Sequence, residues 1–301
     1  MHDLVARFSP TFGLRSEKGH NSKFYFGASM MTTEWLEINQ GSAPVLVSLP
    51  HTGTQIPDSI QSQLACSTEQ ALTDTDWYVH QLYDFVSSMG ISTVRTTISR
   101  CVVDVNRDPS GQSLYPGQAT TELCPTTRFD GQPLYSAPLD DAEVERRKKQ
   151  YFEPYHAAIR GQLERLLLDH DIVILFDAHS IRSQCPRLFD GTLPDLNLGT
   201  NSGRSCAPDL ALLVEKHLSG GNFSFVHNGR FKGGWITRHY GQPSSQVHGL
   251  QLEIAQQSYM HEVQGDSPAP YSAARAAALQ SELKGLFVKL LNWAQSCVSR
   301  G

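Results

Sequence analysis

Long apolar runs are missing from this chain: nowhere in its 301 residues do the roughly 18 consecutive apolar residues of a membrane-spanning helix occur. Residues 1–30 also lack the short apolar core of a secretory signal. Cysteine is sparse and unpatterned. Cys66, Cys101, Cys124, Cys185, Cys206 and Cys297 form no CxxC pair and no dense framework, which excludes a disulfide scaffold and reads as reduced thiols in a cytoplasmic protein. A surplus of positive charge is absent too. Lys and Arg number 25 against 30 Asp and Glu, a formal net charge of −5, which argues against non-specific binding to nucleic acid or to an anionic membrane. Any anionic substrate must then be met by a few placed cations. No internal repeat and no linker divides the chain, so its 40% hydrophobic content is that of one large core.

What is present is a recurring change of period. Glu34-Trp35-Leu36-Glu37-Ile38 alternates like an edge strand, Gly41-Ser42 turns, and Val45-Leu46-Val47-Ser48-Leu49 is a short continuous run of the kind buried on both faces. Trp77, Leu82, Phe85 and Val86 fall on a helical spacing within residues 76–89, ended by Gly90, and residues 91–97 supply another strand. Cys101-Val102-Val103-Asp104-Val105 is a third apolar run and reads as a strand. A Pro-, Gly- and Thr-rich excursion over 108–139 then forms either an active-site wall or a mobile segment. Residues 140–170 predict a helix opened by Asp140-Asp141 and broken or kinked at Pro154. A strand at 172–178, a helix near 207–218, a strand at 249–255 and a helix over 272–296 complete the order. It implies one α/β domain, residues 31–301, with a mixed, mainly parallel sheet covered by helices on both faces. Residues 1–30 carry neither period and read as a flexible N-terminal tail, or as the trace of a mis-assigned start.

Two of the apolar runs stop at histidine. Val45–Leu49 leads through Pro50 to His51, and Ile172-Val173-Ile174-Leu175-Phe176 leads to Asp177-Ala178-His179. Ligand crevices of open α/β sheets lie at the carboxyl ends of the strands, where two imidazoles can share a metal ion with a third ligand and an open position for water. Asp74-Thr75-Asp76-Trp77, at the start of a predicted helix, offers one carboxylate to cap that helix and one to face the crevice, Asp76 being favoured over Asp74. Asp177 shares a strand face with His179 and can orient its imidazole through the second nitrogen.

Glu253 sits between Leu252 and Ile254, where burying a carboxylate is costly without a purpose or a partner. It is a salt-bridged group or, favoured beside metal candidates, a general base of raised pKa. Asn106-Arg107 suits the grip of a carboxylate, with Arg100 as a second cation. Asn228-Gly229-Arg230-Phe231-Lys232-Gly233-Gly234-Trp235-Ile236-Thr237-Arg238 brings Arg230, Lys232 and Arg238 together with glycines and a helix start at Gly234, a combination able to meet an anion. Surface ion pairs and a plain glycine turn are the ordinary alternatives.

Ser48-Leu49-Pro50-His51-Thr52-Gly53, Asp74-Thr75-Asp76-Trp77, Ser99-Arg100 with Asp104-Val105-Asn106-Arg107, Asp177-Ala178-His179-Ser180, Gly233-Gly234 and Leu252-Glu253-Ile254 follow one another in that order. Together they closely resemble the N-formylglutamate amidohydrolase (deformylase) family. The resemblance implies a fold of the phosphorylase/hydrolase-like kind shared with zinc carboxypeptidases. It implies one zinc ion per chain on His51, Asp76 and His179, Asn106-Arg107 on a substrate carboxylate, and Glu253 as base. It also implies a cytoplasmic enzyme that hydrolyses a small anionic substrate, N-formyl-L-glutamate, to formate and L-glutamate in histidine degradation, and it leaves room for a homo-oligomer. One spacing departs from the carboxypeptidases: their acidic ligand stands a few residues after the first histidine, whereas Gly53-Thr54 follow His51 here. Asp76 can serve only if the fold returns it to His51. Two rival readings keep part of this pattern: a zinc hydrolase of another N-acyl amino acid or of a peptide C-terminus, and a non-catalytic anion-binding relative.

Overall fold

Residues 30–114, 117–262 and 268–298 are described by a computed structural model, so the expectation for residues 1–30 lies outside them except at Met30. In chain order the elements are β1 (Met30–Thr33), β2 (Leu36–Asn39), β3 (Val45–Leu49), α1 (Asp58–Gln61), α2 (Thr68–Ala71), α3 (Val79–Leu82) and β4 (Ser92–Thr96). Then come α4 (Asp141–Arg147), α5 (Glu153–Leu167), β5 (Val173–Ile181), β6 (Leu196–Gly199), α6 (Pro208–Ser219), β7 (Phe225–His227), α7 (Trp235–Tyr240), β8 (Val247–Ala255) and α8 (Ala273–Val298). The strands form one sheet in the order β1-β2-β4-β3-β5-β8-β6-β7. Its centre, β4-β3-β5-β8, is parallel; β1, β2 and β6 join antiparallel, and β7 extends β6 in parallel.

This order places the crevice. From β3 the chain crosses to β4 on one side and later to β5 on the other, so the winding reverses between β3 and β5. Loops leaving their carboxyl ends diverge there, and that is where ligands bind in open α/β sheets. β3 and β5 are buried throughout. Val45, Val47, Ile174 and Phe176 pack against α3, α6 and α8, while Leu46, Val173 and Leu175 pack against α5 and Ile236 of α7. Helices therefore cover both faces.

Several boundaries differ from those read off the sequence. Residues 76–89 divide into the single turn α3 and a 3-10 segment, Asp84–Met89, ended by Gly90 at φ 70°. The apolar run Cys101–Val105 buries its side chains in the core but is no strand. Val102 N donates to Ser99 O at 3.0 Å and Asp104 N to Leu123 O at 2.7 Å, while Arg147 donates to Val102 O at 3.1 Å, so its backbone groups are satisfied in a turn. Pro154 does not break the predicted long helix. Lys148–Phe152 widens into a π turn and Pro154 falls in the first turn of α5, where a missing N–H costs least. β6 and β7 lacked a readable signal because each is short and neither is a continuous apolar run.

Arg147 is fully buried, donating to Glu143 and Tyr135. Hydrogen bonds from Arg146, and then the pair with Arg147, pull the Glu143 carboxyl down from its ordinary 4.5 to about 2. A depressed carboxylate stabilises the fold above its unfolded pKa and loses that contribution as pH falls through the folded one. Between pH 4.5 and 2, Glu143→Gln is expected to show a shallower loss of unfolding free energy than the unsubstituted protein, as read from urea midpoints.

Gly53, two residues beyond His51, needs the absence of a side chain: a Cβ there would lie 2.2 Å from Ile98 O. Gly53→Ala is expected to cost about 1–3 kcal/mol by overpacking, measured as a lower denaturant midpoint.

Candidate active site

His51 leaves the end of β3 and His179 lies within β5 near its carboxyl end, so the reversal point sets the imidazoles side by side, ring centroids 4.8 Å apart. Asp76 reaches them through the main chain. Its N–H donates to His51 O at 3.0 Å, which folds the segment after α2 back onto the end of β3, and Tyr78 in the left-handed region then turns the chain into α3. One ligand atom from each of His51, Asp76 and His179 lies within 4.8 Å of the others, and all three residues are buried. Asp74 is drawn elsewhere: it accepts from Phe129 N at 2.7 Å and from Arg182 at 3.3 Å.

Each imidazole is held by a second aspartate on its far nitrogen. His51 Nε2 donates to Asp104 Oδ1 at 2.7 Å, which leaves Nδ1 turned inward, buried and without a hydrogen-bond partner. His179 Nε2 lies 3.0 Å from Asp177 Oδ2, and its Nδ1 lies 3.1 Å from Asp76 Oδ2. Two Nδ1 atoms and one carboxylate oxygen, with carboxylates against both outer nitrogens, form a donor set of the kind that can hold a metal ion. The His51 Nδ1 left without a hydrogen-bond partner is compatible with that role.

The charges agree. Burial alone would raise the Asp76 carboxyl, but His51, with hydrogen bonds from His179, holds it below its ordinary value. Burial would lower His179, but Asp177 and the hydrogen bond to Asp76 hold it well above 6.5. Asp104, despite burial, is held well below 3.8 by Arg107, His51 and Arg100.

Glu253 stands beside His179 in register across the parallel pair β5–β8. Burial, reinforced by the Asp76 and Asp177 charges and opposed by His179 and Arg100, pushes it up to about 7. Gln251 donates to Glu253 Oε2 at 3.4 Å and accepts from Gly234 N at 2.6 Å, which ties the carboxylate to the loop before α7. Gly234 meets Asn106 so closely that a Cβ would lie 2.5 Å from its Nδ2.

A cavity of about 230 Å³ opens over these groups. Its far wall is the 108–139 excursion, with Leu114, Thr121, Leu123 and Phe129 among its lining, which is the first of the two expectations for that segment. Of the predicted substrate cations, Arg100, Arg107 and Arg230 line it; Lys232 and Arg238 do not. Arg238 donates to Gly233 O and Leu114 O, and Arg230, on the cavity wall, donates to Leu188 O and Ala119 O. Asn106 borders the cavity with its amide engaged inside the protein, donating to Asp177 Oδ2 at 3.1 Å and accepting from Ile236 N at 2.8 Å. Asp104 and Gln251 were missed in the sequence. Asp104 carried a usable signal, since a carboxylate inside an apolar run raises the same question as Glu253.

Fold and site together define a class: an α/β protein whose strand-end crevice gathers a metal-type His–Asp–His donor set and a protonatable buried carboxylate, the parts of a metal-assisted hydrolase. Residues 43–260 match the family model described as N-formylglutamate amidohydrolase. The N-formylglutamate deformylase of Pseudomonas aeruginosa is 45% identical over 263 residues, covering 86% of this chain and 97% of that protein. The Pseudomonas putida deformylase is 44% identical over 261 residues, 86% and 96% of the two chains. The crystal structure of an N-formylglutamate amidohydrolase from Ralstonia eutropha superposes with a TM-score of 0.74 at 25% identity, over 88% of this chain and 99% of that one. This chain belongs to the N-formylglutamate amidohydrolase family.

Proposed function

We propose that this protein hydrolyses N-formyl-L-glutamate to formate and L-glutamate, in the cytoplasm and within histidine degradation. The observation that carries the chemistry is the placement of Glu253, His51 and His179 on the wall of one small cavity, with Asp76 buried against both histidines. Those three residues would hold a divalent ion, zinc by the donor set, which when bound supplies polarisation of the formyl carbonyl and acidification of a water. Glu253 accepts the attacking water's proton on a carboxylate oxygen and delivers it to the glutamate nitrogen as the C–N bond breaks. A pKa lifted toward neutrality suits both halves of that transfer. Asp104 and Asp177 lie against the outer nitrogens of His51 and His179 at 2.7 and 3.0 Å, which orients both rings with Nδ1 toward the site.

The substrate is a small dianion, and the cavity offers Arg107 and Arg230 on its wall. We assign one carboxylate to each. At about 230 Å³ the cavity is smaller than the roughly 300–1,000 Å³ of drug-sized pockets, which favours an amino-acid derivative over a peptide C-terminus. Arg230→Ala is expected to raise KM for N-formyl-L-glutamate by about 10–150-fold, the loss of one charge-assisted contact, with a smaller change in kcat. Unchanged KM would move the second carboxylate elsewhere.

The deciding experiment is formate release from N-formyl-L-glutamate, N-formyl-L-aspartate and N-acetyl-L-glutamate, with and without added Zn(II). Preference for the first is expected. Absence of formate under every metal condition overturns the proposal, and turnover of the acetyl compound alone favours the wider N-acyl reading.

A further inference from the structure

The sequence pattern marks Arg100 as a cation for substrate, yet its guanidinium faces two aspartates. Nη1 lies 3.4 Å from Asp76 Oδ1 and Nη2 lies 2.7 Å from Asp104 Oδ2. Asp104 Oδ1 in turn accepts from His51 Nε2 at 2.7 Å, and His51 Nδ1 comes within 3.7 Å of Asp76 Oδ2. The four side chains close a ring: Arg100, Asp104, His51, Asp76 and back to Arg100. All four are buried, and the ring of Phe129, 4.8 Å away, covers the guanidinium.

We propose that Arg100 is a positioning residue for the metal centre, its guanidinium locking the ligand Asp76 to the aspartate that orients His51, so that two of the three ligands are set as one unit. This rests on the metal reading above. The chemistry explains the residue type. Two carboxylates serve the same imidazole from opposite sides, and a buried pair of anions needs a cation that can bond to both at fixed angles. A planar guanidinium has donors pointing in two directions, whereas an ammonium is one point charge on a flexible stem. Arg107 also reaches Asp104 Oδ2, at 3.3 Å, but the link across to Asp76 runs through Arg100. Arg100 therefore completes the support that Asp177 gives His179 by a simpler route.

The test is Zn(II) affinity, measured by competition with a chromophoric chelator, for the unsubstituted protein and for Arg100→Lys, Arg100→Gln, Asp104→Asn and the Arg100→Gln/Asp104→Asn double variant. Each single variant is expected to bind Zn(II) about 10–100-fold more weakly, the usual effect of removing an outer-shell partner of a metal ligand. Arg100→Lys, which keeps charge and most of the volume, should not rescue. The double variant should lose little more than one single variant, because both break the same ring.

Unchanged Zn(II) affinity in the Arg100 variants, whether with a lower melting temperature or with a raised KM for N-formyl-L-glutamate, overturns the inference in favour of a structural or substrate-binding role. Additive losses in the double variant overturn it as well. Failure of the unsubstituted protein to bind Zn(II) removes the metal reading itself and this inference with it, an outcome distinct from equal binding by all variants.

Discussion

Glu253→Gln is expected to lower kcat by about 10²–10⁴-fold, the usual contribution of a positioned acid–base group, while Zn(II) affinity and KM stay near those of the unsubstituted protein. Glutamine keeps the side chain's volume and can still accept from Gln251; what it loses is the ability to take and return a proton. The pH profile supplies a second signature. Burial pushes Glu253 up to about 7, and a base works only when deprotonated, so kcat/KM of the unsubstituted protein should fall as pH drops below this region. A cation on His51, Asp76 and His179 draws that limb lower, because positive charge favours the carboxylate. Residual activity of Glu253→Gln should be flat over the same interval. A kcat within tenfold of the unsubstituted value, or an unchanged acid limb in the variant, would remove Glu253 from the proton transfer.

Removal of divalent metal is expected to take formate release to background, and Zn(II) to restore it. The same addition should fail to restore His179→Ala. A buried His51 Nδ1 without a hydrogen-bond partner and an Asp76–His179 pair at 3.1 Å set three donor atoms within 4.8 Å of one another, where one cation can be shared. Loading should also release protons, since the hydrogen on the His179–Asp76 edge must leave before either atom can bind a cation. Persistent turnover in protein whose metal content has been measured as negligible would refute the metal-assisted reading. Binding of Zn(II) without any turnover would favour the non-catalytic relative.

Much of the site was legible because its chemistry sits where hydrophobic pattern and polar residues collide. His51 and His179 close apolar strands, and Glu253 interrupts one; burial of such groups needs a reason that the local sequence does not contain. Asp177 was legible through strand period alone, since two residues along a strand return to one face. Arg100 was identified by type, but its partners were not legible: in sequence a cation near a crevice looks the same whether it faces substrate or, as here, lines the cavity while pairing with two buried aspartates. Asp104 was passed over because its run reads as a strand, and only the backbone turn held by Leu123 and Arg147 shows which way that segment presents its carboxylate.

By itself, the amino-acid sequence determined the parallel α/β alternation and the strand-end histidines, because period and burial are properties of neighbouring residues. It also determined a short pool of acids and cations from which a site could be drawn. Only the tertiary structure brings Asp76 rather than Asp74 against His51 and His179, through one main-chain hydrogen bond between Asp76 and His51 that no spacing rule encodes. It likewise decided that Arg107 and Arg230 line the cavity while Lys232 and Arg238 do not. The physical reason is common to both: which side chains converge depends on where the sheet reverses its winding and where loops cross it, and those are set by contacts between residues far apart in the chain.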